Sequence, residues 1–144
     1  MLDLKEIDDE VTAIGIADKK ISAALDEALR PIGLNSSNYY FLLKIGESNE
    51  LSRDELFQKI SLSQSNVTRR LDQLVKLGLV VKNRSDVDKR AFVAHLTDKG
   101  KDLIPGIQKA IEEVTSKAFG NLSDDKRLEM LADLRKVSRN LADY

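Results

Sequence analysis

Apolar residues recur every three or four positions through residues 3–30, as Leu4, Ile7, Val11, Ile14, Ile21, Leu25 and Ala28. This spacing predicts one long helix carrying a narrow apolar seam of the kind used between helices. Asp18 interrupts the seam. It reads either as a partly exposed residue at the helix edge or as a buried polar determinant of register, and the first is the plainer. Arg30-Pro31 ends the helix, because a residue before proline is pushed out of the α region. A second helix is expected over residues 37–48, capped by Asn35 or Ser36, with Tyr39, Leu42, Leu43 and Ile45 facing inward. A third covers residues 52–60. Here Ser52 and Glu55 fit a capping box, and Leu51 and Leu56 fit a hydrophobic staple.

From residue 61 the pattern changes character. Ser63 is suited to cap a short helix, with Leu62 and Val67 placed as a staple. Val67, Leu71 and Leu74 make one apolar face, and Ser65, Arg69, Asp72 and Lys76 lie opposite, flanked by Gln64 and Thr68. Gly78 stops this helix in a left-handed conformation. Residues 80–84 and 91–96 then alternate as two strands, joined by a polar turn over residues 85–90. Helix, short turn, helix and hairpin in this order form a winged helix-turn-helix. Beyond the hairpin, Thr97 caps a long helix through Ala118, with Ile104, Ile107, Ile111, Val114 and Ala118 at helical spacing and a bend at Pro105-Gly106. A break at Gly120-Asn121 precedes a last helix from Ser123, whose buried face is expected to hold Leu128, Leu131, Leu134, Val137 and Leu141. Three terminal helices thus carry apolar seams. They are expected to pack together, and then against the same helices of a second subunit.

Charge changes the picture most in the middle of the chain. From Gln64 to Arg90 there are seven basic residues and three Asp, a surplus of four positive charges, whereas the whole chain carries −1. A basic stripe on an otherwise acidic chain is the footprint of a nucleic-acid surface. At 144 residues the chain is long enough for one domain with a real core, and 33% charged residues beside 42% hydrophobic ones describe a globular protein. With no cysteine, disulfides, thiol redox sensing and thiolate metal sites are excluded. The acidic start lacks the features of a secretion signal, and no apolar run reaches the length of a membrane span. A cytoplasmic protein with no membrane contact is the expectation.

The face carrying Gln64, Ser65, Asn66, Thr68, Arg69 and Arg70 has the chemistry of groove recognition. Asn and Gln bond adenine in pairs, arginine does the same to guanine, and the first turn of such a helix reaches base edges. Gln64, Ser65, Asn66 and Arg69 are therefore assigned to base or near-base contacts, and Thr68 and Arg70 to phosphates. Asn66 has a second reading as a helper of the cap. Asp72 reads as the partner of a nearby basic residue. The bland alternative for the whole face is a solvated helix and an ordinary turn, and the basic stripe decides against it. His95, the only histidine, reads as a plain polar position on the second strand. One histidine without cysteine does not make a zinc site, so no metal or cofactor is expected. Nothing resembles a phosphate loop, nucleophile elbow or catalytic triad, and an enzyme is not expected.

Residues 78–100, GLVVKNRSDVDKRAFVAHLTDKG, resemble the wing and following helix start of the MarR/SlyA family of transcription regulators. The match needs no gap, and keeps Asp88-x-Arg90 and Leu96-Thr97-x-x-Gly100. SQSNVTRRLDQL upstream resembles the family's recognition helix. The resemblance implies a mainly α fold with a small β-hairpin wing. In it, dimerisation helices (1–34 and 101–144) flank a winged-helix DNA-binding unit (35–100) within one domain. It implies a homodimer that binds double-stranded DNA, a repressor acting on a palindromic operator. It assigns Asp88 and Arg90 structural and minor-groove roles in the wing, with the Asp88 carboxylate orienting the guanidinium, and Lys89 stands where arginine is common. Many members bind a small aromatic or amphipathic effector between the dimerisation helices and the winged helix. Tyr39 and Tyr40 lie near that junction, where Tyr39 as plain core is the competing reading. A rival for the whole chain is a winged-helix protein-interaction module, using its basic face for an acidic partner protein.

Overall fold

Two long-helical ends enclose a middle of shorter helices and strands, and the architecture follows from where the apolar faces find partners. The structure is a computed structural model describing residues 1–60, 62–86, 88 and 90–144. Helix α1 spans Leu4–Leu29 and opens on a reciprocal capping box, in which Asp3 and Glu6 each accept the other's amide. Arg30–Ile32, with Pro31 inside it, tightens into a 3-10 turn that ends at left-handed Gly33. Helix α2 covers Tyr39–Glu47, shorter than the sequence pattern predicts. Asn35 does accept amides, but those of Ser37 and Asn38, so residues 35–38 fold as a separate tight turn before the helix begins. The pattern also misplaces part of this helix's core. Phe41, Leu42 and Ile45 are buried, whereas Tyr39 and Leu43 are half-buried against them.

Strand β1, Glu50–Ser52, has no counterpart in the sequence reading. Three residues are too few to display alternation, and only its pairing with a distant strand reveals it. Helix α3 (Arg53–Lys59) follows, capped by Ser52, whose hydroxyl accepts the Glu55 amide. Helix α4 runs Gln64–Lys76, and strands β2 (Val80–Arg84) and β3 (Phe92–Leu96) form the hairpin. The sheet is antiparallel in the order β1-β3-β2, with Leu51 opposite Ala94 and Val80 opposite Leu96. His95 sits half-buried in the central strand, between Glu50 and Val81.

The single helix expected after Thr97 divides into α5 (Asp98–Asp102) and α6 (Ile104–Phe119). The break falls at Leu103 rather than at Pro105-Gly106. Proline has no amide to return to the preceding turn, and the Leu103 amide closes a three-residue turn on the Gly100 carbonyl instead. Helix α7, Asp124–Asn140, completes the chain.

One core joins the second half of α1 to α2, α3, α4, the sheet and α6. Outside it, the terminal seams are uncovered. Leu4 is 85% exposed, Val11 71% and Leu128 65%, and Leu131, Leu134, Val137 and Leu141 are exposed as well. The buried face predicted for α7 is thus an open face in the isolated chain, and α7 contributes no buried residue. Among the described residues no helix is long and apolar enough to cross a membrane.

Candidate nucleic-acid interface

Helix α4 is set into the core by Val67, Leu71 and Leu74, all fully buried, so its polar side is turned outward. Its first turn is built as the sequence predicts, with the Ser63 hydroxyl accepting the Asn66 amide. Of the two residues expected to form the staple, Val67 is buried and Leu62 is 38% exposed. Gln64 and Ser65 are exposed on this turn. Asn66, expected at base edges or as a helper of the cap, is engaged within the helix. Its side-chain oxygen accepts from Arg69 Nη2 at 2.8 Å, so the amide holds the arginine in one orientation. Thr68 lies half-buried on the flank. Arg70 turns away, and its Nη1 donates to the Ser37 carbonyl at 3.1 Å.

The far end of α4 is clamped. Gly78 is left-handed (φ 75°), as a helix terminus requires. The Thr97 hydroxyl then donates to the Gly78 carbonyl (2.6 Å), and Lys99 Nζ reaches the Leu77 carbonyl (3.1 Å). Gly100 packs directly on Leu79. A Cβ there would run into the Leu79 carbonyl oxygen. The Leu96-Thr97-x-x-Gly100 element therefore has a physical reason: it caps α5 and pins the root of the hairpin with the same residues.

The wing is tied to both helices of the helix-turn-helix. Lys82 on β2 pairs with Asp72 on α4 at 2.9 Å and lies 4.5 Å from the Phe92 ring centroid. Asp72 is thus the internal partner that its position predicts. Arg53 at the start of α3 donates from Nη1 to the Arg90 carbonyl at 2.8 Å. Nothing in the sequence singles out Arg53, since its partner is a backbone atom 37 residues away. Asp88 works differently from expectation. Its carboxylate accepts the Arg90 backbone amide at 2.9 Å, and among the described residues no ion pair joins it to the guanidinium. The carboxylate shapes the turn and leaves the Arg90 side chain exposed. Lys89 lies outside the described residues.

Between α3, α4 and the wing these side chains frame a cleft of about 480 Å³, lined by Arg53, Gln64, Ser65, Thr68, Lys82 and Arg90 among others. Three cations and three neutral hydrogen-bonding groups thus meet beside an exposed helix start. Tyr39 and Tyr40 meet edge to face, with centroids 6.3 Å apart. Burial, and secondarily the neighbouring Tyr40, push the Tyr39 hydroxyl above its ordinary pKa. A separate cleft of about 470 Å³, lined by Leu43, Gly46, Leu96, Lys101, Ile104 and Gln108 among others, lies at the other end of α2, and neither tyrosine lines it. No group of three or more His, Cys, Asp or Glu converges as a metal site among the described residues.

A helix-turn-helix braced by a hairpin, with its second helix exposed along a cationic cleft, is the winged-helix class of DNA-binding folds. The sequence profile of the MarR family matches residues 34–92. The transcriptional regulator PrsX of Escherichia coli is 32% identical over 77% of this chain and 68% of its own length. A serine-for-cysteine mutant of MarR from Escherichia coli, solved in complex with operator DNA, superposes with a TM-score of 0.83 at 25% identity, covering 94% of this chain and 99% of that one. The fold is shared by BpsR of Bordetella bronchiseptica, whose DNA binding is regulated by 6-hydroxynicotinic acid (TM-score 0.80, 20% identity, 88% and 91% covered). The chain belongs to the MarR family, and is a DNA-binding transcription regulator.

Proposed function

We propose that this protein is a homodimeric, non-enzymatic repressor acting in the cytoplasm on a palindromic operator. The observation that carries the reading is the juxtaposition of the exposed α4 start with Arg53, Lys82 and Arg90 along one cleft. In this reading residues 1–34 and 101–144 form the dimerisation part of a single domain and residues 35–100 its reading unit. The exposed apolar seams of α1 and α7 support the pairing, since apolar patches of this extent mark interaction surfaces.

Gln64, Ser65, Asn66 and Arg69 enter the major groove. Arg69 makes the base contact and Asn66 holds it, because a guanidinium already fixed in direction loses less freedom on docking. Thr68 meets a phosphate. Arg70 is withdrawn from the phosphate contacts, since its guanidinium is engaged at Ser37. Arg90 reaches an adjacent minor groove from a turn shaped by Asp88, and Lys89 adds charge at the tip. Two-fold symmetry places half-site centres roughly 10 base pairs apart. A small aromatic or amphipathic effector, bound near Tyr39 and Tyr40, releases the operator. The regulation of BpsR by an aromatic acid supports that part.

The test is selection of bound sequences from a random duplex library. Recovery of a shared palindrome is the expected result. Recovery of no motif, with binding instead to acidic proteins, would replace this reading by an interaction module on the same fold.

A further inference from the structure

Helix α1 and helix α4 are joined by a polar link with no slack in it. Asp26 lies on α1 between Leu25 and Leu29, both buried, and its carboxylate accepts the Ser36 amide at 2.7 Å. Asn35 Oδ1 accepts the amides of Ser37 (2.8 Å) and Asn38 (3.1 Å), and Asn38 Oδ1 returns a bond to the Asn35 amide (2.9 Å). Every amide of the turn 35–38 is therefore held by a side-chain oxygen, and Asn38 itself is buried. A turn so bonded moves as a block, because each of its backbone donors is already committed. Asp26 fastens that block to α1. On its other side, Arg70 of α4 fastens to the Ser37 carbonyl.

We propose that Asp26 and Arg70 are positioning residues that set the separation and inclination of the two recognition helices in the dimer without touching DNA. This inference rests on the homodimeric reading given above. The outer half of α1 carries the exposed seam on which a second subunit docks, while its inner end carries Asp26. Wherever the partner fixes α1, the block at 35–38 carries that setting to the middle of α4. Two recognition helices must match half-sites at one fixed spacing, so a loosened link reduces the penalty for wrong spacing. A merely stabilising surface bond would not have that effect.

The experiment uses Asp26→Ala, Arg70→Met and the double variant, with Asp26→Asn and Arg70→Lys as conservative rescues. Affinity is measured for the selected palindrome, for the same palindrome with its half-sites moved apart by one base pair, and for a duplex holding one half-site. Each single replacement is expected to lower palindrome affinity about tenfold, the loss of one charge-assisted hydrogen bond. Discrimination against the shifted spacing should fall with it, while half-site affinity stays within about twofold. The double variant should be no worse than either single one, because both cut the same link. The two conservative variants should recover part of the loss. Equal weakening on all three duplexes, or losses that multiply in the double variant, would overturn the proposal.

A second readout is independent of DNA and of dimerisation. Spin labels at Ala23 on α1 and Gln73 on α4, both exposed positions, report their distance within one chain diluted by unlabelled protein. Broadening in either single variant is expected, and an unchanged distribution would overturn the link. Failure of the wild-type protein to select any palindrome would sink the operator reading instead, and the label distances would still judge the link.

Discussion

The middle of this chain and its two ends are built from the same kinds of residue, but only the middle is finished. Between Leu34 and Gly100 the apolar stripes of α2, α3 and α4 are buried at Phe41, Leu42, Ile45, Leu56, Val67, Leu71 and Leu74, and polar groups bind one another across elements, as in Lys82 to Asp72, Arg53 to Arg90 and Thr97 to Gly78. At the ends, the first four turns of α1 and all of α7 have apolar seams open to solvent. The contrast teaches that covering an apolar face, and not its mere presence, marks where a chain is complete in itself. The middle is covered within one copy, whereas the ends are left open in it, for the proposed dimer to cover.

The largest test of that contrast is at α7. Replacing Leu131 and Leu134 together by lysine should yield monomers by light scattering and lower operator affinity by roughly two orders of magnitude, the loss of a linked second contact. The reading unit should keep its helical circular dichroism, and an unaltered dimer would break the comparison. Next in size is Gly100→Ala. Its Cβ meets the Leu79 carbonyl oxygen, so urea unfolding should report a loss of about 2–3 kcal/mol, the range of an overpacked site. Arg69→Ala should cost about 1–3 kcal/mol of discrimination at one base pair in each half-site, read by competition with substituted operators. An equal loss on random duplex would argue against base contact. Ser63→Ala removes the cap of α4 and should cost about 1 kcal/mol, with the effect confined to the middle region.

The smallest expected effect is a pH dependence. The Ser36 amide, then its hydroxyl, hold the Asp26 carboxyl below the ordinary carboxylate range. The ionised form is thus favoured in the folded state. Its contribution is fully present above the unfolded value, near about 4, and is lost as pH falls through the folded one. Acid titration of stability should show a shallow step there that Asp26→Asn removes.

Helix order, the Ser63 cap, the Gly78 stop and the buried stripe of α4 were legible because each depends on residues within one or two turns. The Asp72 partner was legible in kind, since a lone acid on a basic face needs one. Arg53, β1 and the amide-bonded turn at 35–38 were not. Each depends on a bond to backbone that only the fold brings near, and a backbone atom leaves no trace in residue type. Arg70 shows the limit most plainly. An arginine beside Arg69 on a reading helix suggests phosphate, and residue type gives no sign that its guanidinium bonds the Ser37 carbonyl. Asp88 illustrates the same limit at smaller scale, because an aspartate two residues before arginine can serve either its guanidinium or its amide.

The clamp on the tail of α4 and the Arg70 bond at its middle make that helix a lever held at two points. Thirteen residues span about 20 Å, so a swing of a few degrees about the fixed Leu77–Leu79 end displaces the Gln64 end by an ångström or more. Any tilt is therefore largest at the Gln64 end and smallest where the hairpin joins, so the bond at Arg70 restrains most the end that lies farthest from the clamp.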